Sequence, residues 1–334
     1  MEMRIATGPE PLIWALHDGK AGNARQAMAL AKAVAARTGG QVTEIALGLR
    51  PPLHLLPAWG WALGGARAGG WPFTGLSEGA AALVPPWPAL VIGCGRRAAP
   101  FTAAIRKLGG AKAVQILAPQ IPLGAFDAVI APRHDGLKGS PVIETLGALN
   151  DLDAATIDAE SARWARRLAH LPEPRVAVLV GGASRSADFG ARTLQRLSDA
   201  LTHLAIDGAG LMVTPSRRTP KAVTDRLADT IAGVGGWMWG GVGDNPYPGI
   251  LGLADAVLVT ADSVNMASEA AWTGKPVMVL QVDRLGGKLA RFHDSMAEYG
   301  AARPFAGHLE LWTYTPLRET DRVAERVCTL LAPA

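Results

Sequence analysis

The chain has 334 residues, 49% of them apolar and 19% charged, which excludes a disordered chain and gives enough length for two domains with their own cores. Glycine (39) and proline (24) are scattered without a triplet period, and the two cysteines, Cys94 and Cys328, rule out a disulfide framework. No apolar run reaches the ~18 residues of a membrane-crossing helix, and Met1–Ala6 has neither a signal-peptide core nor an Arg/Ser-rich amphipathic stretch, so a reducing cytoplasmic setting is expected.

In chain order, Leu12–Leu16 reads as a buried strand and Asn23–Thr38 as an alanine-rich helix closed by Gly39-Gly40. Strand patterns follow at Gln41–Leu47, Ala89–Ile92, Ala113–Leu117 and Ala128–Ala131, with a helix over Ala98–Leu108. Residues 141–170 show no strand pattern, and Leu171–Pro174 reads as a linker. The alternation resumes with Val176–Val180, a helix over Asp188–His203, a strand at Leu211–Thr214 and a helix opened by Thr219-Pro220. Ala256–Thr260 and Pro276–Gln281 are strands around the helix Val264–Trp272, and Leu317–Leu331 is amphipathic. This order predicts an α/β protein of two Rossmann-like parallel-sheet domains, 1–165 and 175–316, facing a cleft, with 317–334 as a closing helix. Ligands are expected at the carboxyl ends of the strands.

The richest segment runs from Thr260 through Ser263, Asn265 and Glu269 to Gly274-Lys-Pro276. A strand ends, a polar turn follows and a helix starts, so free N–H groups and the helix dipole suit a phosphate. Glu269, in the second helical turn, suits ribose hydroxyls. Gly181-Gly182-Ala-Ser184-Arg185 would wall the same diphosphate site, because glycine admits a close backbone approach and the serine and arginine donate. Arg217 and Arg218 follow a strand and read as phosphate donors. Asn245, in Asp244-Asn-Pro-Tyr247, reads as a base- or ribose-holding turn or as a simple Asx turn.

In the first half, Gly93-Cys94-Gly95-Arg96-Arg97-Ala98 formally fits a dinucleotide loop but follows a late strand and lacks the acidic partner. Arg96 and Arg97 therefore read as an anion clamp, and Cys94 as a packed residue. No cofactor is expected. Nor is a metal, since the histidines show no ligand spacing. Asp135 beside His134 could assist acid–base chemistry. Residues 1–112 carry twelve Lys/Arg against five Asp/Glu, a net of +7, while the remainder comes to −3. Arg50–Trp87 concentrates Trp59, Trp61, Trp71 and Trp87 with a single acid, Glu78. Docking on an anionic membrane surface is expected there, against the alternative of tryptophans packed on the core. Nucleic acid is not expected, because the basic residues are dispersed and carry no recognised motif.

The strand, polar helix start, glutamate and Gly-Lys-Pro-Val resemble the donor segment of GT-B fold glycosyltransferases such as the peptidoglycan N-acetylglucosaminyltransferase. More specifically, Asp18-Gly-Lys-Ala-Gly22, Ser216-Arg-Arg-Thr-Pro220, Asp244-Asn-Pro-Tyr247 and Thr260-Ala-Asp-Ser263 resemble the family of the plant "elongated mitochondria" fission factor and its bacterial relatives. The glycosyltransferase resemblance implies metal-independent sugar transfer from a nucleotide sugar to a phosphorylated or membrane-associated acceptor, at the inner face of a membrane. By position it passes the general base to His17, with Asp18 as second candidate, and an acceptor phosphate to Lys20 and Asn23 with Arg96 and Arg97. A capping role for Asp18 with His17 packed at the strand end is the structural alternative. An epimerase or hydrolase of the same fold, or a non-catalytic membrane-surface adaptor, are the rival functions. Oligomeric state is not indicated.

Overall fold

The computed structural model describes residues 10–184 and 187–332. They form two compact units, one made of the chain up to Asp151 with the tail from Glu319, the other Leu152–Arg318.

In the first unit, β1 (Leu12–His17), β2 (Gln41–Ala46), β3 (Leu90–Cys94), β4 (Lys112–Ile116), β5 (Ala128–Pro132) and β6 (Val142–Thr145) form an all-parallel sheet ordered β2-β1-β3-β4-β5-β6. Strands covered by helices on both faces read as continuous apolar runs, as Leu90–Cys94 and Ala128–Pro132 do. The helix α1 (Ala21–Thr38) buries Ala27, Leu30, Ala31 and Val34, and ends at Gly39 in the left-handed region (φ 73°). The strand β6 corrects the expectation that 141–170 holds none. Its Val-Ile-Glu-Thr sequence lies half-buried at the sheet edge, so the apolar run that marks its neighbours is missing.

Between β2 and β3 runs a long excursion with the short helix α2 (Ala58–Ala62), which packs on α3 (Ala99–Gly109). Trp61 stacks on Trp71 at 4.9 Å and tilts against Phe101 at 5.4 Å, and Trp87 meets Trp14 edge-on at 6.0 Å. Three of the four tryptophans of this segment therefore belong to the core of the unit, whereas Trp59 is 58% exposed.

The second unit opens with α4 (Ala154–Ala165), whose Asp153 cap accepts the Thr156 N–H at 2.9 Å. Its sheet comprises β7 (Arg175–Val180), β8 (Gly210–Pro215), β9 (Trp237–Met238), β10 (Ala256–Thr260), β11 (Val277–Leu280) and β12 (Ala302–Pro304). The order is β9-β8-β7-β10-β11-β12, again all parallel. The helices are α5 (Ala191–Ile206), α6 (Lys221–Gly233), α7 (Tyr247–Leu253), α8 (Val264–Trp272) and α9 (Gly287–Glu298). The segment Gly235–Gly241 supplies only the two-residue β9, half-buried at the sheet edge. Finally α10 (Glu319–Leu331) packs on α1 of the first unit, burying Val323, Ala324 and Val327. Among the described residues no helix is long and apolar enough to cross a membrane.

Each sheet reverses its winding once, between β1 and β3 in the first unit and between β7 and β10 in the second. The loops leaving the carboxyl ends of those strand pairs splay to opposite faces and leave a crevice, the usual ligand position of such sheets.

Candidate functional sites

At the reversal in the second unit, four separate sequence motifs meet. The Gly181 N–H donates to Thr260 Oγ1 (2.8 Å) and the Gly182 N–H to Asp262 Oδ2 (2.8 Å). The Thr260 hydroxyl donates to Asp262 Oδ1 (2.7 Å), and Arg218 donates to both Asp262 Oδ2 (3.3 Å) and the Gly182 carbonyl (3.2 Å). Thr219 reaches the carbonyl of Val180 at 3.1 Å. Asp262, its side chain fully buried, is thus the knot that ties the β7, β8 and β10 loops together. This revises the reading of the two glycines. Their N–H groups are engaged within the protein, and a Cβ would lie 2.1 Å from Asp262 Oδ2 at Gly181 and 2.2 Å from the Arg218 carbonyl at Gly182. They let three loops close on one another. Arg218 is likewise a tie, while Arg217 is exposed and has no carboxylate partner among the described residues.

The helix α8 starts directly after this knot. Ser263 caps it, accepting the Met266 N–H at 3.4 Å, and Asn265 in the first turn has no hydrogen-bond partner among the described residues. Glu269 is 4% exposed and accepts the Tyr247 hydroxyl. Asn245 accepts the Tyr247 N–H at 3.1 Å, which is the Asx turn of its two readings, and this turn opens α7. Behind α8, His293 of α9 donates from Nε2 to the Ala261 carbonyl (2.7 Å), since a carbonyl can only accept. Burial holds this imidazole below its ordinary pKa, hence neutral. Lys275 of the Gly-Lys-Pro segment turns away from the site. Its Nζ donates to the Leu251 (2.7 Å) and Gly252 carbonyls at the end of α7, and burial pushes it down to about 8. It fixes the helix that presents Tyr247. Ser184 lies exposed on the same loop as the two glycines, with its N–H bonded to the Ala187 carbonyl (2.9 Å), and Arg185 lies outside the described residues.

At the reversal in the first unit, the loop after β1 meets the loop after β3. His17 Nδ1 accepts the Gly19 N–H (3.1 Å), so its proton sits on Nε2 and is donated to Glu44 (2.9 Å). Both ring nitrogens are occupied, which leaves no lone pair for a base. Asp18, with its side chain 3% exposed, accepts from the Asn23 amide (2.8 Å) and pairs with Lys20 (3.3 Å). Asn23 in turn packs against Gly95, where a Cβ would lie 2.5 Å from its Nδ2. Cys94 is buried, and burial together with the Asp18 carboxylate raises its pKa, so it stays a thiol as a packed residue should. Arg96 and Arg97 leave β3 without a carboxylate partner among the described residues and line a hollow of about 210 Å³ with His54 and Gln120. His134 and Asp135 lie 3.7 Å apart after β5 on a short 3-10 turn, the histidine buried and the aspartate half-buried. The predicted residues that are described thus lie on the loops and helix starts at the carboxyl ends of the strands, one group in each unit. Sequence reasoning missed Asp262 and Tyr247 as members, although both stood inside the motifs that revealed their neighbours.

The family described as mitochondrial fission ELM1 matches residues 21–331. The mitochondrial fission protein ELM1 of Arabidopsis thaliana is 33% identical over 274 residues, covering 73% of this chain and 64% of that protein, so this chain spans less than two thirds of its length. The uncharacterized protein RP120 of Rickettsia prowazekii is 28% identical over 280 residues, 71% of this chain and 78% of that one. Among solved structures, MurG of Acinetobacter baumannii superposes with a TM-score of 0.51 at 18% identity, over 97% of this chain and 92% of that one. The UDP-GlcNAc 2-epimerase of Methanocaldococcus jannaschii reaches 0.54 at 12% identity, over 96% and 99%. These likenesses establish the two-domain GT-B-like fold.

Proposed function

The chain belongs to the mitochondrial fission ELM1 family, and on that premise we propose that it is a GT-B-type glycosyltransferase, moving a sugar from a nucleotide-sugar donor to a phosphorylated or membrane-associated acceptor. The observation that carries this reading is the meeting of Gly181-Gly182 and Arg218 with Asp262 just before the capped start of α8, and of Tyr247 with Glu269 in its second turn, at the winding reversal of the second sheet. That arrangement suits a nucleoside diphosphate. Ribose hydroxyls replace the Tyr247 phenol on Glu269, while Ser263, Asn265, Ser184, Arg185, Arg217 and the first-turn N–H groups of α8 receive the phosphates. Asp262 and Arg218 hold the loops that present them. The same donors stabilise charge on the departing diphosphate, in a transfer that we take to be metal-independent.

In the first unit, Arg96, Arg97 and Lys20 engage an acceptor phosphate. Asp18, placed by Asn23 and Lys20, takes the acceptor's proton, and His17, neutral with both nitrogens committed, holds the loop.

Calorimetry with UDP, GDP, CMP and ADP and their sugar conjugates tests the donor site. Wild type is expected to bind one nucleotide saturably and Glu269→Ala to bind it about 10- to 100-fold more weakly, the worth of a charged hydrogen bond or two. Folded protein that binds none of them sinks the reading and leaves the membrane-surface adaptor in its place. Free sugar and nucleotide released without acceptor would instead mark a hydrolase, and exchange of the sugar 2-proton with solvent an epimerase.

A further inference from the structure

Between Arg50 and Lys112 the chain carries seven Lys/Arg and a single acid, Glu78. Within this basic stretch the 3-10 turn Leu53–Leu55 and α2 form a ridge. Its inner side is ordinary core, with Ala58 and Trp61 buried against α3. Its outer side is apolar as well: Leu55 is 74% exposed, Trp59 58% and Leu63 76%, with Leu56 at 41% beside them. Trp59 and Leu63, four residues apart, stand on one face. A helix that is apolar all round belongs in an apolar medium, because each Å² left in water forgoes about 25 cal/mol.

Beside the ridge lies a hollow of about 530 Å³, walled by Trp61, Ala62, Ala66, Pro100, Ala103 and Ala104. Three cations edge it. Arg106 is committed to Asp127 by two bonds of 2.9 and 3.0 Å, whereas Lys107 and Lys112 are exposed and have no carboxylate partner among the described residues. Lys107 sits in the last turn of α3 and Lys112 opens β4, so both lie at the amino-terminal edge of the sheet. Asp18 and Arg96 lie at the carboxyl ends of the strands, opposite Lys107 and Lys112, while Leu55, Leu56 and Trp61 of the ridge also line the smaller hollow that holds Arg96 and Arg97.

Small apolar walls, an apolar ridge with one outward tryptophan and unpaired cations at the rim match the headgroup layer of an anionic bilayer, where tryptophan and lysine place an apolar body inward and a polar end outward. A second copy of this chain is the wrong occupant, since it would bring an equally basic face against this one. We propose that the first unit docks on an anionic lipid bilayer through this ridge, with Trp59 and Leu63 in the headgroup–acyl boundary, an acyl chain in the hollow beside Trp61, and lipid phosphates at Lys107 and Lys112. The inference does not depend on the transferase reading, and neither does its test.

Full-length protein is floated with vesicles of phosphatidylcholine alone and of phosphatidylcholine mixed with phosphatidylglycerol. Binding is expected only to the mixed vesicles and weakens with added salt. Lys107→Gln with Lys112→Gln is expected to lower partitioning about 25-fold at low salt, about fivefold for each near-surface cation. Trp59→Ala with Leu63→Ala lowers it at least about tenfold at any salt. All four side chains are exposed, so circular dichroism is expected to match wild type. Short-chain phosphatidylglycerol below its micelle threshold binds wild type saturably, and glycerol phosphate does not displace it. Displacement by glycerol phosphate would reduce the site to one for soluble phosphates. Vesicle binding that is absent or unchanged in both variants overturns the proposal, as does a wild-type dimer that dissociates in the Trp59→Ala, Leu63→Ala protein without any vesicle binding.

Discussion

At the tip of β7 there is no room for a methyl group. The Cβ that alanine would add at Gly182 meets the Arg218 carbonyl and its carbon at 2.2 and 2.5 Å, and backbone cannot step aside as a flexible side chain can. Gly182→Ala is expected to cost about 1–3 kcal/mol, measured by urea denaturation, and to weaken nucleotide binding in the fraction that folds. His17 shows how a single residue's role turns on a tautomer: a histidine at a strand's carboxyl end suggests a base, but the Gly19 N–H on Nδ1 and Glu44 on Nε2 leave it nothing to accept a proton with. Lys275 carries a pH dependence. Folded, it gives up its proton near pH 8, while unfolded it keeps it to about 10.5. Between those values the unfolded chain binds more protons, so stability rises with pH across that window. Denaturation midpoints measured from pH 7 to 11 are expected to rise in wild type relative to Lys275→Met between about pH 8 and 10.5, because the other groups that titrate there, Cys94 among them, are common to both proteins.

The elements differ in how openly they declare themselves. The strands β3, β5, β7 and β10 are covered on both faces and read as apolar runs, and α8 announces its start through Ser263. The edge strands β6 and β9 leave no such trace, since a half-buried strand of two to four residues has too few positions to show a period. Packing of α7 on α4 depends on Gly249, where a Cβ would lie 2.6 Å from Trp164 Cδ1 and 2.9 Å from the Glu160 carbonyl. Gly249→Ala is expected to push α7 away from α4, costing about 1–3 kcal/mol. Because α7 carries Tyr247, the same variant is expected to lose nucleotide affinity along with stability. An unchanged affinity in the folded variant would detach Tyr247 from the site.

For the whole molecule, the return of α10 to the first unit matters most. Val323, Ala324 and Val327 are fully buried there, so removing the chain from Glu319 onward bares the face of α1 that they cover. Such a truncated protein is expected to lose stability in its first unit by about 1.5–3 kcal/mol for each large apolar side chain removed, visible as a lowered first transition in calorimetry. Nucleotide binding by the second unit is expected to persist.

The alternation of strand and helix, the basic first half and the motifs at the strand ends are written in short stretches of chain, where burial and backbone geometry impose a period or a residue type on near neighbours. Gly181-Gly182, Ser263 and Glu269 could be found that way. Asp262 could not be given its role, because its partners Gly182 and Arg218 stand eighty and forty-four residues away. The tryptophans of 50–87 were equally ambiguous as letters. Stacking on Phe101 and Trp71 drew Trp61 into the core and left Trp59 outside, and nothing in their local sequence distinguishes the two. Contacts between distant segments depend on the closed chain, and they settle which of several chemically eligible side chains remains free to act.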